Sequence, residues 1–354
     1  MSVPVLPPED VRRVLAGLPR LSLAHLPTPL DEAPRFAGRI GVGRVLIKRD
    51  DCTGVLFGGN KTRHNEFLLA DALRHGCDVI VWGAGIQSNN CRQTAAACAR
   101  LGLECRLFLS RTTHSDDLQG NLLLDHLVGA RVELVDAPMG EPLLRLLKDR
   151  AAGLRAEGRR PYAYDEERGA PLAAASYLLC LAEVVEQMHA SKLEPAAVYV
   201  AAAGATGAGV ALGKALLGLS CKVRLVCPIR WPWDVAEDLA GVANQAAELL
   251  GLPHRLAARD IDATEDYIGP GYGVVTPEGW EALELLAATE GILLDPVYTA
   301  KAMAALIHDA REGRLGRDDT VVFLHTGGLP AVFAYRDDLL PYLHLGGEET
   351  TSEG

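Results

Sequence analysis

The chain has 354 residues, 49% of them apolar and 23% charged, with a formal net charge of −11. That length exceeds one small core and sets an expectation of two domains. The acidity excludes a basic face for nucleic acid, and no apolar run reaches the roughly 18 residues that suggest a membrane span.

The opening MSVPVLPPEDVRRVLAGL carries prolines and acids, not the basic-then-apolar pattern of an export signal, so a cytoplasmic location is expected. RVLIK (44–48) reads as a strand, and TRHNEFLLADALRH (62–75) as a helix with Phe67, Leu68, Ala72 and Leu73 on one face. VIVWG (79–83) reads as a strand and NCRQTAAACARLG (90–102) as a helix ended by Gly102. Strand 105–110, helix 121–129, strand 131–136 and helix 142–158 follow. The long helix 172–190 precedes strand 197–203, a glycine-rich loop, a helix from Gly207 and strand 222–229. Helices over 233–251, 277–291 and 299–313 lead to a late strand, TVVFLHT (320–326), and a polar tail (346–354) is expected to fray. Such alternation predicts an α/β fold of mostly parallel sheets with helices on both faces. Eight cysteines without a CxxC pair read as reduced, buried small hydrophobes, and ten scattered histidines without ligand spacing predict no metal site.

In open α/β sheets ligands bind at the carboxyl ends of strands, and four such places carry unusual residues. In GVLFGGNKTRHNEF (54–67), Gly58 and Gly59 allow a tight turn before Asn60 and Lys61. A lysine in a first helical turn opposes the helix dipole, which favours the neutral amine that covalent carbonyl chemistry needs; alone it reads equally as a surface lysine. In WGAGIQSNNCRQTAA (82–96), Ser88, Asn89 and Asn90 open a helix, which suits a carboxylate or an ordinary N-cap. In AAAGATGAG (201–209), Gly204, Ala205, Thr206, Gly207 and Ala208 offer backbone N–H groups for a phosphate, or small residues for a close helix–strand crossing. HTGG (325–328) puts Thr326 at a buried strand end before a Gly-Gly turn. Tyr272 in GPGYG (269–273) and Tyr298 in DPVYT (295–299) stand in loops before helices. Together these supply an amine, an anion clamp, a phosphate cup and a strand-end hydroxyl, the parts that pyridoxal phosphate (PLP) catalysis requires.

The set LIKRDD (46–51), GGNKTR (58–63), QSNNCRQTAA (87–96), GPGYG, LDPVYTAKAM (294–303) and HTGGLPA (325–331) resembles the D-cysteine desulfhydrase / 1-aminocyclopropane-1-carboxylate (ACC) deaminase family, with its tryptophan-synthase-β-like PLP fold. The resemblance implies two α/β domains, a large one from 1–64 and 169–354 and a small mobile one from 65–168, in a homodimer. It implies Lys61 as the lysine that carries PLP and moves the substrate α-proton. Asn60 and Asn89 would contact the cofactor, and residues 204–208 would hold its phosphate. Thr326 would meet the pyridine nitrogen. Ser88, Asn89 and Asn90 would face the substrate carboxylate, with Tyr272 and Tyr298 flanking the substrate, and Ser88, Tyr272 and Tyr298 are the catalytic candidates for returning a proton to the intermediate. A hydroxyl at 326 makes the ring a weaker electron sink than a carboxylate would, which fits prompt loss of a β-substituent. The implied reaction is β-elimination on a small amino acid such as D-cysteine, giving pyruvate, ammonia and sulfide. The alternatives are L-cysteate as substrate, ACC deamination, biosynthetic β-replacement and a catalytically silent PLP-binding protein. Thr299 and Thr326 match the desulfhydrase side. The chain departs from the family at His64-Asn65, at Asn90 (where desulfhydrases carry His) and at Ala203, Ala205 and Ala208 in the phosphate loop.

Overall fold

The computed structural model describes residues 4–163 and 166–343, without the side chains of 166 and 167. Strands β1 (Leu30–Glu32), β2 (Arg44–Lys48), β7 (Ala197–Ala201), β8 (Lys222–Val226), β9 (Asp262–Thr264) and β10 (Thr320–Leu324) form one sheet in the order β1-β2-β10-β7-β8-β9. Strands β3 (Val79–Gly85), β4 (Glu104–Ser110), β5 (Arg131–Val135) and β6 (Pro161–Ala163) form a second sheet in the order β5-β4-β3-β6. All pairings are parallel except β1 with β2. The helices are α1 (Pro8–Leu15), α2 (Pro34–Ile40), α3 (Asn60–Arg74), α4 (Asn89–Leu101), α5 (Gly120–Leu127), α6 (Glu141–Ala156) and α7 (Glu166–Ala190). They continue with α8 (Ala205–Leu216), α9 (Val235–Leu249), α10 (Pro277–Glu290), α11 (Thr299–Arg311) and the single turns α12 (Ala331–Ala334) and α13 (Arg336–Leu339).

Both faces of each sheet are covered, so successive strand residues feed different cores. Val198 and Val200 of β7, with Val322 and Leu324 of β10, pack into the main cluster under α3, α7, α8 and α9. Tyr199, Val321 and Phe323 point the other way, onto residues of α2, α10 and α11. In the second sheet Ile80 and Trp82 join the main cluster, whereas Val79 and Val81 meet Leu143, Leu147 and Leu154 of α6. Among the described residues one helix, Arg168–Ala190, has the length and apolarity to cross a bilayer, but 94% of that window is buried inside the protein.

Several expectations need correction. Helix α7 begins before the expected 172 and holds Pro171 inside it. Leu73 is 39% exposed, while polar Thr62, Arg63, His64, Asn65 and Glu66 are buried: α3 is buried nearly all round, and no single apolar stripe describes it. Cys52 is exposed and Cys77 half-buried, whereas the other six cysteines are buried; all eight are free. Helix α8 starts at Ala205, two residues before the expected Gly207. The tail 346–354 lies outside the described residues.

Candidate active site

Parallel register places three strand ends side by side. Leu324 of β10 pairs with Lys48 of β2 on one side and Val200 of β7 on the other. The chain leaving each of these carboxyl ends carries one of the predicted places. Their loops touch directly: the Asn60 amide donates to the Thr326 carbonyl at 2.9 Å, and Asn60 Nδ2 donates to Thr206 Oγ1 at 3.0 Å. A Cβ on Gly327 would stand 2.7 Å from the Gly59 Cα, so this crossing requires glycine. Gly59 has φ 127°, and a side chain there would strike Gln93 of α4, whose Oε1 accepts from the Thr62 amide at 2.9 Å. The second sheet thus delivers its own strand end, through α4, to the same corner.

Lys61 occupies the first turn of α3. Among the described residues its amine has no hydrogen-bond or ion-pair partner, and burial lowers its pKa from 10.5 to about 8. A lysine whose proton is held this much less tightly than usual is more readily deprotonated to a nucleophile. The start of α8 faces it through Asn60. Gly204 caps that helix at φ 97°, a conformation suited to glycine. The amides of Ala205, Thr206 and Gly207 open the helix, and the Ala208 amide is spent on the Gly204 carbonyl at 3.0 Å. Thr206 Oγ1 also meets His64 Nε2 at 3.1 Å. Burial, then the positive charges of Lys61 and Arg63, push His64 well below the ordinary imidazole range. A neutral imidazole therefore backs the cup.

At the start of α4, Ser88 is the N-cap, its Oγ accepting from the Cys91 amide at 3.1 Å. Asn89 and Asn90 are half-buried in the first turn. Asn89 Oδ1 accepts from Asn121 Nδ2 at 2.9 Å, which leaves the Asn89 amide nitrogen as its available group. Asn90 Oδ1 lies 3.4 Å from Thr94 Oγ1, which in turn meets Asn65 at 3.3 Å. Two departures from the family pattern, Asn65 and Asn90, are thereby connected.

Tyr272 and Tyr298 meet each other, hydroxyl to hydroxyl at 2.5 Å, with rings 5.9 Å apart and nearly perpendicular. Burial raises both phenols above their ordinary range, so both stay protonated. Among the described residues neither bonds to Lys61, Ser88 or Asn89. Their link to the corner runs through Asp295. That carboxylate accepts from the amides of Val297, Tyr298 and Thr299, and a Cβ on Gly328 would stand 2.6 Å from its side chain.

Other residues of the site were not read from the sequence. Arg63 lies between Asp50 and Glu183, with hydrogen bonds of 2.8–2.9 Å to both, and Lys48 joins Glu183 at 2.8 Å. Arg92 is fully buried; it donates to the carbonyls of Leu56 and Gly58 and to Asn121 Oδ1. Lys301 is fully buried and donates to the carbonyls of Ile268 and Gly271. For Lys48, Asp50, Arg63 and Lys301 the available signal was a charge within the motifs LIKRDD, GGNKTR and LDPVYTAKAM. A separate cavity of about 770 Å³, lined by Tyr199, Arg224, Asp262, His308 and Asp309 among others, does not include the residues of this corner.

The arrangement fits PLP on its own geometry: the helix-terminal amides of Ala205, Thr206 and Gly207, an unpartnered lysine of lowered pKa, and Thr326, a buried residue whose hydroxyl has no partner among the described residues. Comparison with known proteins agrees. Residues 21–327 match the family described as pyridoxal-phosphate dependent enzyme. The D-cysteine desulfhydrases of Salmonella choleraesuis (strain SC-B67) and Salmonella typhi are each 40% identical over 325 residues, covering 91% of this chain and 97% of theirs. A solved ACC deaminase homologue superposes with a TM-score of 0.86 at 34% identity, over 94% of this chain and 99% of its own. Escherichia coli diaminopropionate ammonia lyase shares the fold, with a TM-score of 0.70 at 17% identity over 97% of this chain and 94% of its own. The chain belongs to the PLP-dependent enzyme family, in the branch that holds the D-cysteine desulfhydrases and ACC deaminase homologues. PLP is its cofactor.

Proposed function

We propose that this enzyme carries out β-elimination on a small β-substituted amino acid, with D-cysteine as the lead substrate: D-cysteine and water give pyruvate, hydrogen sulfide and ammonia. The observation that carries the reading is Lys61, unpartnered among the described residues and lowered to a pKa of about 8, at the corner where Asn60 ties Thr206 to Thr326. The desulfhydrase relatives supply the substrate class. PLP, when bound, supplies the electron sink that acidifies the substrate Cα–H.

Lys61 holds the cofactor and takes the Cα proton. The amides of Ala205, Thr206 and Gly207, opened by Gly204 and carried forward by Ala208, hold the phosphate at the positive end of α8. Asn89 offers its amide nitrogen, its oxygen being held by Asn121. Ser88, Asn89 and Asn90 receive the substrate carboxylate at the start of α4. Thr326 gives the pyridine nitrogen a hydroxyl rather than a carboxylate. Thr299 likewise offers the cleft no carboxylate, its hydroxyl being bound to Asp295 Oδ1 at 2.7 Å. Tyr272 and Tyr298, both protonated, stand as proton donors to the departing group or the product carbon.

The small unit, 65–168, closes over the substrate from the four-stranded sheet, and the remainder forms the large unit. Two facts support this: β3 to β6 all lie within 79–163, and the other six strands lie outside it. The assembly we expect is a homodimer.

The test is incubation of purified holoenzyme with D-cysteine, L-cysteate and ACC, alongside Lys61→Ala. The expected outcome is pyruvate, sulfide and ammonia in equal amounts from D-cysteine, with the visible absorption band of bound PLP lost in Lys61→Ala. Pyruvate from L-cysteate alone, 2-oxobutyrate from ACC, or a thiol adduct without pyruvate would replace D-cysteine desulfuration by the corresponding alternative. A wild-type band that no amino acid perturbs would mark a silent PLP-binding protein.

A further inference from the structure

Lys301 is a buried ammonium that the roles assigned above leave unused. Its side chain is fully buried, and its Nζ donates to the Ile268 carbonyl at 2.6 Å and the Gly271 carbonyl at 3.3 Å. No carboxylate accepts from it among the described residues. The nearest charge acting on it, Asp295, already accepts from three amides and the Thr299 hydroxyl. Burying an ammonium against carbonyl dipoles alone is costly. An apolar side chain of similar length would fill the same space without that cost, so packing does not account for a lysine here.

The two carbonyls flank Gly269 and Pro270, and Gly271 immediately precedes Tyr272. Their loop, IGPGYG (268–273), contains three glycines, two of them at positive φ (Gly269 at 71° and Gly273 at 75°). A segment of that composition has large conformational entropy to lose. Its own backbone bonds are sparse and long: Ile268 N to Glu265 O and Val274 N to Gly271 O, each 3.3 Å. The other end of the contact is rigid. Lys301 lies in the first turn of α11, three residues after Tyr298, and that helix start is fixed by Asp295. The tyrosine hydroxyls meet at 2.5 Å, so a loop displacement of that order would separate them.

We infer that Lys301 is a positioning residue: its ammonium clamps the 268–271 carbonyls to α11 and so holds Tyr272 in register with Tyr298. This rests on the reading of Tyr272 and Tyr298 as the pair that flanks the substrate. The prediction is a loss in kcat with retained cofactor binding, because PLP is held elsewhere.

The experiment uses the PLP-loaded variants Lys301→Met, Lys301→Ala and Tyr298→Phe, assayed for pyruvate from D-cysteine. Lys301→Met should keep the PLP band and melting profile while kcat falls about a hundredfold, the scale of an ångström-size misplacement. In Lys301→Ala, ethylammonium should restore part of kcat by donating to the vacated carbonyls. Tetramethylammonium, which has no N–H, should not, and neither wild type nor Tyr298→Phe should gain from ethylammonium. A Lys301→Met kcat within about threefold of wild type, with Tyr298→Phe impaired, overturns this inference alone. A Lys301→Ala enzyme that is folded and PLP-loaded but insensitive to every amine also overturns it. If Tyr298→Phe turns over like wild type, the reading of the tyrosine pair fails first and takes the clamp's purpose with it.

Discussion

Lys61 and Arg63 stand two residues apart on α3, Arg63 fully buried and Lys61 half-buried, and their surroundings shift them in opposite directions. Burial opposes the charge on both. For Arg63, Asp50 and Glu183 more than reverse that penalty, holding the guanidinium well above its ordinary range; it also keeps a hydrogen bond to Thr28. Asp50 in turn is kept ionised by Arg63 against the same penalty, and Tyr177 adds a hydrogen bond at 2.9 Å. Lys61 has no such partner, and its amine falls to about 8. The lesson concerns placement. The lower network fixes the helix in a polar but satisfied socket spanning β2, α3 and α7. The upper residue is thereby presented, unpaired, to a cleft that α3 itself cannot leave.

Breaking the lower network should have the largest effect. Arg63→Met leaves Asp50 and Glu183 buried without their shared partner, and a broken buried pair costs about 3–5 kcal/mol. Denaturant unfolding should register that loss, whereas Lys61→Ala, which removes a desolvated and unpartnered amine, should not lower the unfolding midpoint of the PLP-free protein. A smaller effect is expected at the phosphate cup. Thr206→Val removes the oxygen that Asn60 Nδ2 donates to and that His64 meets, and should weaken PLP binding about tenfold in titrations of the PLP-free protein.

The smallest effect sharpens the contrast through pH. Between about 8 and 10.5 the unfolded chain keeps the Lys61 proton that the folded PLP-free protein has released. The unfolded state then binds more protons, so this group makes stability rise with pH across that window, and below about 8 its burial penalty is felt in full. Lys301, also lowered to about 8, contributes in the same direction. Between pH 7 and 10 (conditions chosen to span the window) the wild-type midpoint should therefore change more favourably with rising pH than that of Lys61→Met, so that the gap between the two narrows above about pH 8. Equal slopes would show that Lys61 is not desolvated as described.

Much of the fold was legible because its signals are local. RVLIK, VIVWG and TVVFLHT are β-branched runs bounded by turns, and the Ala/Leu-rich stretches carry helical spacing. The misreadings share a cause: tertiary burial overrode a local rule. Pro171 sits inside α7, and the polar residues of α3 are interior because ion pairs and side-chain amides receive them. The short strands β1, β6 and β9 went unread, since three residues carry too little periodicity.

The amino-acid sequence by itself determined the α/β class and, through motifs such as GGNKTR and HTGG, the family, and it singled out the four strand ends proposed as the site. Those depend on residue type at short spacing, and short spacing survives in one dimension. Only the tertiary structure decided how Asn60 reaches Thr206 and Thr326, how Arg63 meets Glu183 across 120 residues, and that Lys301 serves the Tyr272 loop. Each of those contacts depends on the parallel register of β2, β10 and β7 or on the packing of α11, and on the desolvation that packing imposes. Register and desolvation belong to the assembled core, so the same lysine codon can specify a surface charge, a clamp or a nucleophile until the fold surrounds it.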